Sequence, residues 1–220
     1  MDATKEIQIK EERGLWKASS YVHKLAKRLV RKNEPVRISY ILTAHKILFS
    51  ETNEKDAAGK YRRNDPNIIR IDGTELDIPN WTKVPDQMAA LDEELRAQTS
   101  QLTHPSTNRE YAKIIDIAIK TSHRLTQIHP FHNGNGRMSR LLINFVLARA
   151  ELPFIAIKED KPTYLNSMLQ ADKCDIGQLR RLILNGLIDV QNKKVKTQED
   201  LSLSKIKKQK SLLPHRHDFK

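Results

Sequence analysis

Cysteine is nearly absent from this 220-residue chain: Cys174 stands alone, and no Cys or His cluster at metal-ligand spacing surrounds it. A disulfide-stapled secreted fold and a structural zinc site are therefore both excluded. Long apolar runs are missing as well. The most apolar stretch, LLINFVLARAELPFIAI, is broken by Asn144, Arg149, Glu151 and Pro153, and the opening MDATKEIQIKEERG has no signal-like apolar run. No membrane span is expected, and the expected location is the cytoplasm, with export as an effector without a cleavable signal left open. Acids are lacking from residues 17–32, which carry Lys17, Lys24, Lys27, Arg28, Arg31 and Lys32 unopposed. Residues 193–220 hold nine Lys/Arg against Glu199, Asp200 and Asp218. These two segments supply the whole formal charge of +12, so the middle of the chain is near neutral. A basic pI is then poor grounds for assigning nucleic-acid binding to that middle.

What is present is helical periodicity. With 38% hydrophobic and 30% charged residues, the composition fits one medium-sized core with a charged exterior. Leu15, Ala18, Val22, Leu25 and Leu29 recur at spacings of three and four and share one helix face, with the basic cluster opposite. Asn33-Glu34-Pro35 ends that helix, and Ile38, Ile41, Leu42, His45, Leu48 and Phe49 mark the next. Similar stripes around Met88–Leu95, Tyr111–Leu125, Leu141–Val146, Tyr164–Leu169 and Leu179–Leu187 predict five more, the one at 141–146 apolar nearly all round and so central. Between the second and third helices, AAGKYRRNDPNIIRIDG has turn signals at Gly59, Asp65-Pro66 and Gly73 with β-prone pieces around Tyr61 and Ile68–Ile71. It reads as a short β-hairpin standing off a helical body. The residues from 193 onward lack sustained periodicity and read as a flexible basic tail.

One loop carries the chemistry: His129-Pro130-Phe131-His132-Asn133-Gly134-Asn135-Gly136-Arg137-Met138-Ser139-Arg140, between the fourth and fifth helices. Its Gly-Asn-Gly centre permits positive φ, so successive N–H groups can turn inward as an anion nest. The nest opens into the start of an apolar helix, whose free N–H groups and dipole also favour an anion. Arg137 and Arg140, three apart, point to one side. Two guanidinium forks beside a backbone nest suit more than one phosphate. His129 opens the loop, and Phe131 is placed as its apolar peg. A glycine-rich turn, a lone histidine or a helix-start arginine is each ordinary by itself, and it is their conjunction at fixed spacing that points to a site.

This run resembles the signature of the Fic (Fic/Doc) family, His-x-Phe-x-(Asp/Glu)-Gly-Asn-Gly-Arg-x-x-Arg. The resemblance extends over about residues 36–190, through Ala44–Leu48, Ala58–Arg62, Val84–Met88 and the Tyr164 helix. It implies an all-α helical bundle with a β-hairpin flap, divided as a basic N-terminal extension over 1–35, the Fic domain over 36–192 and the tail. It also implies a protein adenylyltransferase that moves AMP from ATP to a Ser, Thr or Tyr hydroxyl. In that scheme His129 is the general base. Gly134, Asn135 and Gly136 hold the α- and β-phosphates, Arg137 and Arg140 bind the pyrophosphate end, and Tyr164 and Asn166 line the adenine pocket. The flap, with Lys60, Tyr61 and Ile69, aligns the protein substrate as an added strand.

Two departures bear on cofactor and control. Asn133 stands where the family has an acid that holds Mg²⁺, so the expectation is a weakened but present Mg²⁺ dependence. The family's inhibitory (Ser/Thr)-x-x-x-Glu-(Gly/Asn) is not completed by Ser50–Glu54, followed by Lys55, or by Ser106–Glu110, followed by Tyr111. Either a separate antitoxin-like protein inhibits the chain or no such restraint exists, and Arg140 is then free for ATP. Alternatives remain open at this point: another nucleotide or phosphate-containing donor, or a non-catalytic Fic-like binding module. Homo-oligomerisation is left open, as is contact of the basic segments with nucleic acid or a membrane surface.

Overall fold

The computed structural model describes residues 3–157 and 160–211, and the side chains of 5–157 and 160–198 within them. Among the described residues seven α-helices make the fold: α1 Ala3–Lys32, α2 Ile38–Phe49, α3 Val84–Thr99, α4 Asn108–Ile128, α5 Asn135–Arg149, α6 Lys161–Asp172 and α7 Gly177–Ser211. The centre is α5, which packs on α1, α2 and α4, while α3 and α7 lie against α4 and α6 against α7. Its sequence explains that position, since Met138, Leu141, Leu142, Ile143, Phe145, Val146 and Leu147 leave no solvent face of any width.

Local chemistry sets the helix ends. A capping box starts α4, with the Thr107 hydroxyl accepting from Glu110 N–H and the Glu110 carboxylate accepting from Thr107 N–H. Asp160 caps α6 just before Pro162. The start of α2 has no cap of its own, and Asp92 on α3 accepts from Ile38 N–H at 2.6 Å instead. Gly14 lets α1 lie directly on α2, because a Cβ there would sit 2.0 Å from the Leu48 carbonyl oxygen. At the far end of α5 the buried Arg149 donates to the carbonyls of Glu34 (2.7 Å) and Leu102 (2.6 Å) and to Asn33 Oδ1 (3.0 Å), tying the α1–α2 and α3–α4 connections to α5.

Three expectations change. The 1–35 segment is no appendage: Ala18, Val22, Leu25, Ala26 and Leu29 are buried in the common core. The tail does not begin at 193, because α7 runs helically through to Ser211, with Leu179, Leu182 and Ile183 anchoring its first turns. Residues 212–220 and the side chains from Glu199 onward lie outside the described part. The hairpin is smaller than expected. Among the described residues it has one isolated bridge, Ile69 to Glu75, closed by the turn at Asp72-Gly73, and no named strand. Among the described residues no helix is long and apolar enough to cross a membrane.

Candidate active site

The loop from His129 to Gly134 takes its shape from side chains that reach it across the fold. His129 caps α4 in the left-handed region (φ 49°), which turns the chain sharply out of the helix. Arg62, fully buried at its side chain, holds that turn: its Nε donates to the His129 carbonyl at 2.8 Å, and its backbone N–H donates to Pro130 O at 2.8 Å. A salt bridge to Asp65 at 2.6 Å compensates its charge. Phe131 is fully buried and stacks under His45, with ring centroids 3.9 Å apart and planes at 11°. Since His45 Nδ1 accepts from Gly59 N–H (2.8 Å), its Nε2–H donates to the Asn133 carbonyl (3.0 Å), which fixes the neutral tautomer. Burial holds the His45 pKa below the ordinary imidazole value, and the Arg137 charge adds to that against the opposing pull of the Asn133 carbonyl and Glu54.

Gly134 follows at φ 82°, and a side chain there would lie 2.8 Å from the Phe49 ring. Its conformation opens α5 without any side-chain cap, so the first N–H groups of the helix are left for an outside acceptor. Asn135 does not serve that acceptor with its side chain. Its amide is buried and bonds both ways to Phe131, Oδ1 accepting from the N–H at 3.0 Å and Nδ2 donating to the carbonyl at 2.8 Å. Only its backbone belongs to the nest.

The nest forms one end of a cavity of about 630 Å³, lined by His129, Asn133–Arg137, Arg140 and Tyr164. Apolar walls come from the hairpin (Ile68, Ile71, Leu76) and from α6 (Leu165, Met168, Leu169). The Nδ1–H of His129 donates to the Thr126 carbonyl, a long bond at 3.4 Å, which leaves Nε2 as the basic nitrogen. Burial first, and the nearby Arg62 charge after it, lower the His129 pKa against the raising effect of that carbonyl. The imidazole is therefore unprotonated near neutrality. Arg137 lies over the Phe49 ring (4.9 Å) and pairs with Glu11 of α1 at 2.9 Å. Arg140 lies over the Tyr164 ring (5.2 Å) and has no carboxylate partner among the described residues. Burial raises the Tyr164 pKa, so the phenol stays neutral.

Other expected residues fall elsewhere. Asn166 is exposed and outside the cavity lining, whereas Lys161 and Leu165 of the same helix lie in it. Lys60 and Tyr61 do not form the hairpin but line a separate cleft with Asp56, Arg63 and His132. Ile69 is on the hairpin, 60% exposed, at the cavity mouth. Together with Ile71 it occupies the outer edge of the hairpin, where neither residue's backbone N–H nor C=O is paired among the described residues. Two site residues escape sequence reasoning: Arg62, whose role depends on burial, and Glu54. The Glu54 carboxylate accepts from Asn133 Nδ2 at 2.7 Å and has no cationic partner among the described residues. Asn133 Oδ1 accepts from Gly134 N–H at 2.6 Å. An amide oxygen and an uncompensated carboxylate beside a phosphate nest are hard oxygen donors, of the kind Mg²⁺ accepts alongside phosphate oxygens.

Comparison with known proteins agrees with this geometry. The model of the Fic/DOC family matches residues 35–147. The chain is 28% identical to the protein adenylyltransferase Fic of Nematostella vectensis, over 80% of this chain and 38% of that protein. It thus spans less than half the length of the curated relatives it matches. Among solved structures, a Fic-domain-containing signalling protein of Bacteroides thetaiotaomicron is 26% identical with a TM-score of 0.63, covering 80% of this chain and 68% of that one. BepC, a translocated effector protein of Bartonella tribocorum solved with bound AMPPNP, shares the fold at 17% identity and a TM-score of 0.51, over 80% and 86% of the two chains.

Proposed function

The chain belongs to the Fic/DOC family, and from that premise we propose that it is a protein adenylyltransferase, moving AMP from ATP to a Ser, Thr or Tyr hydroxyl of another protein. The observation that carries this reading is one cavity joining a half-buried histidine of lowered pKa to an uncapped helix start and two arginines. The curated relatives named protein adenylyltransferase support the same donor and the same transfer.

The chemistry follows from these groups. His129 Nε2 takes the proton of the acceptor hydroxyl as its oxygen attacks the α-phosphorus. The new oxygen–phosphorus bond forms as the bond from the α-phosphorus to the bridging oxygen breaks, so pyrophosphate leaves and the imidazolium holds the proton. Backbone N–H groups of residues 135 and 136 are fixed in advance by Phe131, His45 and Asn135, and so stabilise the charge without reorganising. Arg137 and Arg140 receive the leaving pyrophosphate, which requires Arg137 to exchange Glu11 for a phosphate oxygen. Asn133 and Glu54 are the residues that would hold Mg²⁺, whose contribution when bound is to neutralise triphosphate charge. The apolar wall of α6, from Leu165, Met168 and Leu169, takes the adenine, and the free edge of Ile69 and Ile71 takes the acceptor as an added strand.

Incubation with ATP labelled on the α-phosphate tests this directly. Wild type should label protein and His129→Ala should not. Label arriving only from the γ-phosphate would sink the reading in favour of kinase chemistry, and no transfer together with salt-sensitive nucleic-acid binding would favour a non-catalytic module.

A further inference from the structure

An ion pair and a histidine that take no part in this chemistry meet at the cavity wall. Arg70 sits on the hairpin, Asp172 is the last residue of α6, and His123 lies on α4 six residues before His129. One Asp172 oxygen accepts from Arg70 Nε at 3.0 Å and the other from His123 Nε2 at 2.8 Å. The side chains are only 22%, 19% and 12% exposed, well shielded for an ion pair outside the core. The Arg70 guanidinium also donates back to the Glu75 carbonyl on the opposite arm of the hairpin.

The hairpin needs such a support. Its arms are joined by Arg70 N–H to Thr74 O (2.7 Å) and Leu76 N–H to Ile68 O (2.8 Å), with Asp72 and Thr74 bonded within the turn. An isolated two-stranded ribbon of this size is marginal in water. Among the described residues the one hydrogen-bonded tie from 66–78 to the helical body is Arg70 to Asp172. Successive side chains of an extended segment alternate in direction. Arg70 reaches Asp172 on the body while its neighbours Ile69 and Ile71 stay 60% and 42% exposed. A slip of one residue would exchange those roles, turning the isoleucines away and moving the free edge.

We propose that Arg70, Asp172 and His123 form a latch that sets the height and register of the hairpin edge over the cavity, making Asp172 a positioning residue for the acceptor. This rests on the reading of the edge as the acceptor's docking strand. His123 matters because it holds the second carboxylate oxygen, so that Asp172 presents the first to Arg70 from a fixed direction. It also joins the latch to the helix that ends in His129, so the edge and the base are referenced to one rigid element. The exposed isoleucines favour acceptor segments that are extended and carry an aliphatic or aromatic side chain beside the hydroxyl residue.

The test compares wild type with Asp172→Asn, Arg70→Met and the conservative Arg70→Lys. Hydrogen exchange of residues 66–76 should quicken about tenfold in Asp172→Asn and Arg70→Met, with α4 and α5 unchanged, and return toward wild type in Arg70→Lys. Transfer of labelled AMP to an extended peptide library with one Ser, Thr or Tyr should fall about tenfold to a hundredfold in the first two variants. Affinity for a non-hydrolysable ATP analogue should stay within about twofold. Unchanged exchange at 66–76 overturns the latch, and so does a loss of analogue affinity parallel to the loss of peptide labelling. A wild type that transfers AMP to nothing refutes the adenylyltransferase reading separately, while the exchange measurement still decides whether the latch exists.

Discussion

At the scale of single residues, the site is governed by what surrounds two histidines. His129 has a pKa below the ordinary imidazole value because it is half-buried and lies near the Arg62 charge. A general base works only unprotonated, so kcat/KM should be level through neutrality and fall only below about pH 6.5, as a pH–rate profile would record. His45 titrates in the same direction through burial. A histidine with a depressed folded pKa takes up its proton more readily when unfolded, so its stabilising contribution is present above about pH 6.5 and is lost as pH falls through the folded value. Tm should therefore decline with acid in that window, and His45→Gln should flatten the decline as well as lowering Tm. The Asn133–Glu54 pair makes a third residue-scale prediction. Asn133→Asp should lower the Mg²⁺ concentration needed for half-maximal transfer by about tenfold, and Glu54→Gln should raise it by a similar factor. Calorimetry of Mg²⁺ with the ATP analogue would check the same order without turnover.

At the scale of elements, helices and their inner faces were legible because an apolar residue every three or four positions has few other folded solutions. Leu15 to Leu29 and Ile38 to Phe49 lie against one another as their stripes require. The motif loop was legible for a different reason: Gly134, Phe131 and His129 are held to their roles by backbone conformation and burial, which few residue types satisfy. Asn166 was misplaced through helical phase, since two positions beyond the buried Tyr164 is about 200° round the helix and reaches solvent. Lys60 and Tyr61 were misplaced because three turn signals compete between α2 and α3, and only the one at Gly73 closes a hairpin. Nothing local marked Arg62 or Glu54, whose partners lie 67 and 79 residues away along the chain. Packing between elements is also sequence-silent at Gly14, where α1 meets the backbone of α2. Gly14→Ala should cost about 1–3 kcal/mol in chemical denaturation, because the obstacle is a carbonyl and not a movable side chain.

For the whole molecule, the question is which parts the core can lose. The family match begins at residue 35, and the resemblance implied that residues 1–35 are an extension. Yet α1 gives Ala18, Val22, Leu25, Ala26 and Leu29 to the core and covers faces of both α2 and α5. Its Glu11 also reaches Arg137 in the site. At roughly 1.5–3 kcal/mol for each of the larger buried aliphatics, their loss approaches or exceeds the whole stability of an ordinary domain, about 5–15 kcal/mol. Removing residues 1–32 should therefore give a chain that lacks a cooperative thermal transition by circular dichroism and transfers no AMP, even though every residue of the motif remains. The other end should behave oppositely. Among the described residues the buried contacts of α7 come from Leu179, Leu182 and Ile183, while Ile188 and Val195 are exposed, so ending the chain at Asn192 keeps every buried α7 side chain described. That truncation should shift Tm by only a few degrees and keep the transfer rate, while removing six of the twelve net positive charges. If binding to an anionic surface or partner then loses its salt dependence while transfer is kept, the basic tail serves docking. On the proposed function, the near-neutral middle, through a backbone nest and two arginines, carries the reaction.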